Sequence, residues 1–381
     1  MSGHGLSNFA VKNGPAASYR MWQAILNKQI WRFYEKMGYY FLKADRNEAY
    51  MKGIFKRLVR IFFTYSIKII SLLLAVSMIS FILISASPVD PVRQYILGIG
   101  TAISPEQRAE IEDYWGVNEP PAERYCTWLS ELLHGNLGES AIYRRPVADI
   151  IGERFVNSLA LMFSAWILAG MIGFVSGCVM GMYHNRLPDK ILKKICYILS
   201  SVPTFWLGLV FLLVFAVWLK WFPIGFSSPV GVLNKDVTIW QKIYHLILPA
   251  FTLSLMSFSN IALHTRQKLI DVLNSEYVLF AKARGESKWT ILRRHGLRNV
   301  LLSALTLQFA SFAELFGGSV MAENVFSYPG LGSAVSAAGL QGDVPLLLGV
   351  TLFSALFVCT GNMIANLLYG VIDPQIREGV R

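Results

Sequence analysis

Residues 195–219 read ICYILSSVPTFWLGLVFLLVFAVWL, with no charged side chain along the whole stretch. An α-helix rises 1.5 Å per residue, so about 20 mainly apolar residues cross the hydrocarbon core of a bilayer. Water-soluble helices bury one stripe and leave the opposite face polar, which this segment cannot do. Five further runs meet the same criterion, and the set is 61–86, 158–182, 195–219, 243–263, 300–322 and 346–371. The fourth is the most diluted, by Asn260 and several serines. Lipid offers no partner for a bare backbone N–H or C=O, so segments this apolar must satisfy those groups internally as helices. The expectation is an all-α membrane protein, a bundle of six transmembrane helices.

Composition agrees. Of the 381 residues, 54% are hydrophobic and only 15% charged, where a soluble domain carries about a quarter charged residues. The net charge of +11 does not gather into one patch for a polyanion. It collects at the edges of the apolar runs, which argues for topology and against nucleic-acid binding. Eleven Lys and Arg precede the first run against three acids, and 183–194 and 264–299 are basic. In 87–157 acids outnumber arginines, and 323–345 holds no Lys or Arg. Positive residues mark the cytoplasmic side, so both termini are expected inside and 87–157 outside. Lys68, in the first run, can snorkel to the cytoplasmic edge and anchor that helix. Four widely spaced cysteines supply neither a disulfide framework nor a metal site, and no cleavable signal peptide is expected ahead of the first run.

Two regions fall outside the spans. Residues 1–52 form a cytoplasmic N-terminal extension whose stretch MWQAILNKQIWRFYEKMGYYFLK interleaves aromatics with Lys and Arg. It fits either a helix lying on the inner leaflet or a partly ordered extension. Residues 87–157 mix proline-rich turns with short amphipathic pieces, among them SPEQRAEIEDYWG. Ser104 followed by Pro105 is a good helix start, and the region is expected to be a small outer cap.

The 264–299 loop breaks the lipid-like pattern with EYVLFAKARG, Glu276 to Gly285. Ser275 can cap a helix there, with Glu276 in its first turn. Lys282 and Arg284 fall in the last turn, and Gly285 supplies the residue able to take positive φ. A second short helix is expected from Ser287 through WTILRRHG, stopped at Gly296. Ala281, Ala283 and Gly285 give a small face that lets another backbone approach. Helix connections in bundles commonly take about 2–8 residues. A loop longer than thirty residues with its own caps is expected to dock a partner.

The stretch EYVLFAKARGESKWTILRRHGLRNVLLSALT resembles the EAA loop of ABC-importer permeases of the oligopeptide/dipeptide/nickel family. The likeness extends to ENVFSYPGLGSAVSAAGLQGDVPLLLG, VIDPQIREG, GNLGESAIYRRPVADIIGERFVNSLAL, SSVPTFWLGL and WFPIGF, and so covers about 53–379. The resemblance implies a permease domain over 53–381 with the type I importer bundle, in the inner or plasma membrane of a prokaryote. It implies a second homologous permease, two ATPase subunits that hold the ATP and Mg, and an extracytoplasmic substrate-binding protein. Coupling to the ATPases would fall to Glu276, Tyr277, Ala281, Ala283, Arg284, Gly285, Ser287 and His295. Glu323, Tyr328, Pro329 and Asp343, in the loop before the last span, would face the binding protein. Short peptides are the cargo implied, with chelated nickel or another small solute as the alternative. Two positions depart from the family pattern. Ser303 stands where a proline is frequent, and Lys282 and Arg284 are exchanged.

No GxxxxGK[ST] loop is present, so nucleotide hydrolysis is not expected in this chain, nor any catalytic residue, resident metal or cofactor. Polar groups inside spans are costly and therefore informative. Glu314, with Gln308 six residues before it and Asn260 in the preceding span, would line a translocation path or form a structural hydrogen-bonded set. The glycines of GMIGFVSGCVMG, 170–181, are expected to pack helices. A self-sufficient carrier or a docking scaffold are the rival readings.

Overall fold

The computed structural model describes residues 48–86, 104, 106–108, 120–229, 231–232 and 236–372. The 21–43 stretch, most of 87–119 and the C-terminal DPQIREG segment lie outside the described residues. The chain divides into two units, 1–68 and 69–381. The first is described only from Glu48 and is helical there. The second contains the helical bundle.

Helix α1 is Glu48–Ser85, and its residues after Ile69 present a mostly exposed apolar surface, Ile70, Met78 and Leu83 among them. Helix α2, Pro121–Leu133, meets it at one place. There Ser77 and the Tyr125 hydroxyl lie 2.8 Å apart and the Phe81 and Tyr125 rings meet edge to face. Ser104 and Gln107 bond each other's backbone N–H at 3.1 and 3.2 Å, the start expected of the SPEQ piece. Helix α3, Val147–Met182, is 36 residues long. It therefore takes in residues 147–157, which the sequence had suggested for the outer cap.

The third apolar run is not one straight helix. It is α4, Leu187–Ser201, then α5, Thr204–Phe211, which widens into a π-helical turn over Leu212–Trp218. The two parts are bent by 108°. Pro203 has no N–H to continue the ladder and forces Val202 into extended backbone, φ −91° and ψ 131°. Helix α6, Ile239–Leu273, opens with a capping box between Thr238 and Gln241 and carries Pro249 within it. Then come α7, Glu276–Ala283, and α8, Lys288–Ile291, which passes through a π-helical turn, Leu292–Gly296, into α9, Leu297–Ala310. Gly296 does not stop the helix as expected. It takes φ −82°, ψ −56° and the chain stays helical across it. After Ser311, α10 spans Phe312–Val325. The α9 and α10 portions of the fifth run are bent by 61°. Helix α11, Leu331–Gln341, and α12, Val344–Ile372, complete the described chain.

Among the described residues four helices are long and apolar enough to cross a membrane, or up to six spans if each bent pair counts as one. Among the described residues the one β element is an isolated bridge, Glu139 to Pro146. The seam of the bundle is α3 against α6. Gly173, Gly177 and Gly181 line one face of α3 at four-residue spacing. A Cβ built on them would come within 2.9 Å of Ile261, 2.5 Å of Thr265 and 2.8 Å of Leu269, respectively. In lipid no hydrophobic effect drives helices together, so close backbone packing of this kind supplies the attraction. A second core joins α3, α6 and α10 through Leu161, Met162, Leu253, Leu315 and Phe326.

Candidate functional site

Between α6 and α9 the chain builds a short bent element, and its order is local. At the end of α7 Gly285 takes φ +81°. Its N–H donates to the Lys282 carbonyl at 2.9 Å, and the Glu286 N–H donates to the Ala281 carbonyl at 3.2 Å. This is the Schellman arrangement, which satisfies the carbonyls that a helix end leaves over. Ser275 occupies the N-cap position of α7 but makes no side-chain cap. Its hydroxyl donates back to the Val272 carbonyl at 2.6 Å. Ser287 is the working cap, accepting from the Thr290 N–H at 3.2 Å.

The element is fastened to its own spans. Val278 and Ala281 are buried against Leu269 and Val272 of α6, with Ile291, Leu292 and Val300 closing the cluster. Lys282 Nζ donates to the Leu273 carbonyl, 3.0 Å away, at the end of α6. Ala281 is therefore an internal contact, while Ala283, Arg284, Gly285 and Ser287 are exposed, as is Glu276. Arg284 pairs with Glu286 at 2.5 Å and stacks over Phe280. His295 falls in the π-helical turn. The outward surface holds a feature the sequence patterns did not bring out. Phe280 is 67% exposed and Trp289 66%, with Tyr277 and Leu279 also open. Large apolar groups on a charged loop mark a contact surface. Their spacing around the cap residues is the signal that would have revealed them.

At the other end of the bundle the residues expected to face a binding protein lie mostly inside the chain. Glu323 and Asp343 are wholly buried and Tyr328 nearly so, while Pro329 is half-buried. Each carboxylate is used inside the chain. Glu323 accepts from the Ser158 hydroxyl at 2.6 Å and from the Ser333 N–H at 3.0 Å. Ser158 in turn accepts from the Leu331 N–H, and Asn157 donates to the Pro329 carbonyl. Burial pushes the Tyr328 hydroxyl up to about 12, and the neighbouring Glu323 adds to that. Asp343 accepts from the Ser140 hydroxyl at 2.5 Å and the Ile142 N–H at 3.0 Å, and caps α12 at the Leu346 N–H. Buried ionisable groups persist where they are hydrogen-bonded; Glu323 ties α10 to α3 and α11, and Asp343 ties the start of α12 to residues 140–142.

The three residues considered for a path are not brought together. Gln308 is buried, donating its amide to the Trp166 carbonyl, while the Trp166 indole donates to the Gln308 carbonyl at 2.9 Å. Asn260 and Glu314 are exposed on α6 and α10. The break at Ser311 removes the helical face that Gln308 and Glu314 were expected to share. Beside Gln308 lies an apolar cleft of about 290 Å³, lined by Trp166, Phe174, Ile261, Leu301 and Leu305 among others. His264 meets the hydroxyl of Ser303 at 3.0 Å, at the position that departs from the family's proline. His245 bonds the Gly225 carbonyl at 2.9 Å and is structural.

Residues 143–378 match the model of the binding-protein-dependent transport system inner membrane component family, and 55–162 match the model of that family's N-terminal membrane component. The chain is 35% identical over 308 residues to the oligopeptide transport system permease protein AppB of Bacillus subtilis (strain 168), covering 81% of this chain and 96% of the relative. It is 32% identical over 311 residues to the glutathione transport system permease protein GsiC of Escherichia coli O6:H1 (strain CFT073), again 81% and 96%. A solved structure of an inward-facing methionine ABC transporter, MetNI, aligns with TM-score 0.46 at 16% identity, over 59% of this chain and 96% of that one. The chain therefore belongs to the family of binding-protein-dependent transport system inner membrane components, the permeases of ABC importers.

Proposed function

We propose that this chain is the transmembrane subunit of an ATP-driven importer of short peptides, working by alternating access in the cytoplasmic membrane of a prokaryote. The observation that carries this is the capped α7–α8 element, buried on one side against its own spans and bearing Phe280 and Trp289 on the other. A surface of that kind, locked to α6 and α9, suits a part that takes up motion from a neighbouring subunit. The names of the peptide and glutathione permeases support peptides as the cargo.

In this reading two ATPase subunits hold ATP and Mg and bear on Glu276, Tyr277, Ala283, Arg284, Gly285, Ser287 and His295 from the cytoplasmic side, where both termini also lie. Ala281 supports that surface from behind. A second permease completes the path, to which Asn260, Gln308 and Glu314 contribute, and a binding protein delivers cargo from outside near Pro329. The chain supplies positions and closures and no covalent step. Permease domain 53–381 does this work, and 1–52 is an added cytoplasmic segment.

The test is uptake of labelled di- to hexapeptides by proteoliposomes holding the whole assembly with its binding protein. Uptake is expected to require ATP. Gly285→Trp is expected to abolish it while the substituted chain still inserts and assembles. A Cβ at Gly285 meets nothing within 4 Å in this chain, so the local cost is the left-handed backbone alone, about 1–2 kcal/mol. Normal uptake by Gly285→Trp would overturn the coupling assignment.

A further inference from the structure

The turn joining α3 to α4 and the middle of the loop-side half of α6 are locked by one ion pair to which the import mechanism assigns no part. The Arg266 guanidinium grips Asp189 in a fork, Nε to Oδ1 at 2.5 Å and Nη2 to Oδ2 at 2.8 Å. The Asp189 side chain is 1% exposed and that of Arg266 12%. The Asn185 N–H donates to Oδ2 at 2.8 Å, from a residue held at φ +62°. His184 Nδ1 lies 3.1 Å from Arg266 Nη2. Asn185 and His184 therefore converge on this one ion pair, in a chain where only 15% of residues are charged.

Stability alone is a poor reason for the pair. Desolvating two ions costs several kcal/mol each, and an apolar pair of similar volume is often as stable. A two-pronged fork adds a fixed relative position, since it constrains both distance and angle. The location says what is being fixed. Arg266 precedes Leu273 on the same helix, and Leu273 receives Lys282 of the α7 element. Asp189 stands in the first turn of α4, ahead of the sharp bend at Val202–Pro203. Beyond that bend, Gly208 of α5 faces Val325, a Cβ built there coming 3.1 Å from its Cγ1. A continuous set of packed helices thus runs from α7 through α6 to α4 and α5 and on to the end of α10, and the Asp189–Arg266 fork is its crossing point.

We infer that Asp189 and Arg266 are positioning residues that pass displacement of the α7 element from α6 to the bent α4–α5 span. This rests on the reading of the chain as an importer subunit. A fork that only stabilised the fold would, on removal, lower the amount of intact assembly, and would reduce ATP hydrolysis and uptake together. A fork that transmits leaves hydrolysis running and lowers the peptide moved per ATP.

The experiment uses the whole assembly in proteoliposomes with the binding protein and labelled di- to hexapeptides, measuring uptake and ATP hydrolysis per intact complex. Asp189→Asn keeps shape and loses the charge, Arg266→Gln removes the fork, and Arg266→Lys keeps the charge without it. Asp189→Asn and Arg266→Gln are expected to lower peptide moved per ATP about fivefold or more, the low end of ordinary coupling between sites. Hydrolysis is expected to stay within about twofold, the size of the interaction between sites that share no partners. Arg266→Lys is expected to recover part of the ratio. An unchanged ratio in the first two variants, or uptake and hydrolysis falling in proportion, overturns the inference while leaving import intact. Absence of ATP-driven uptake in the unsubstituted assembly overturns both readings.

Discussion

Two glycines show how differently one residue type is required. Gly330 has ordinary extended backbone, φ −113° and ψ −174°, yet a Cβ there would sit 2.2 Å from the Glu323 carboxyl carbon. Gly285 has open space around it and is required for its positive φ. Gly330→Ala must push the Glu323 carboxylate off Ser158 and Ser333. It is expected to cost about 1–3 kcal/mol, seen as a lower unfolding midpoint in detergent. Gly285→Ala is expected to cost about 1 kcal/mol in the same assay, the low end for a left-handed residue with open space around it. Equal, small losses at both positions would contradict the packed carboxylate. The same contrast marks what could be read from sequence. Gly285 was legible because a helix end and its glycine are neighbours in the chain. The choice between acids was not. Glu314, placed in an apolar run, looked like the intramembrane carboxylate, but it is exposed and Glu323 is buried. Burial of Glu323 depends on Ser158, 165 positions away, and no local pattern reports that.

Among the helices, caps and breaks decide the outcome. Ser275 and Ser287 looked alike as helix starts, and the structure separates them. Ser287→Ala removes a side-chain cap and is expected to cost about 1 kcal/mol at the start of α8, read as faster hydrogen exchange at the Thr290 amide. Ser275→Ala removes a bond to the Val272 carbonyl and is expected to leave α7 exchange unchanged. Equal acceleration in both variants would refute the assignment. The six apolar runs gave the elements well, because about 20 lipid-compatible residues leave little choice. Breaks inside the runs were harder. The VP at 202–203 was visible in sequence, but hydropathy does not say that a proline turns the chain by 108° instead of kinking it. The helix passing through Gly296 went unforeseen because a glycine costs a helix interior only about 1 kcal/mol, less than burial of Ile291, Leu292 and Val300 on either side returns.

For the molecule as a whole, the α3–α6 seam carries the most consequence. Gly177→Leu puts a branched side chain where even a methyl would meet Thr265 and the Ala262 carbonyl at 2.5 and 2.6 Å. The expected result is loss of monodisperse protein on extraction, checked by size-exclusion chromatography. Gly152→Leu, where a Cβ meets nothing within 4 Å, is the control expected to behave normally. The sequence signalled this seam as a run of small residues. It did not signal the polar rivets, Asp343 to Ser140 and Asp189 to Arg266, which join segments far apart in the chain. The element at 276–296 adds one more consequence. It is fastened at α7 by Val278, Ala281 and Lys282, and it passes without a gap through the π-helical turn into α9. One residue inserted after Gly285 would have to be absorbed within the two positions that remain before α8, or turn the helices beyond it by about 100°. The residue count of the stretch is therefore set as firmly as its outward side chains, and it serves as a ruler laid between two spans.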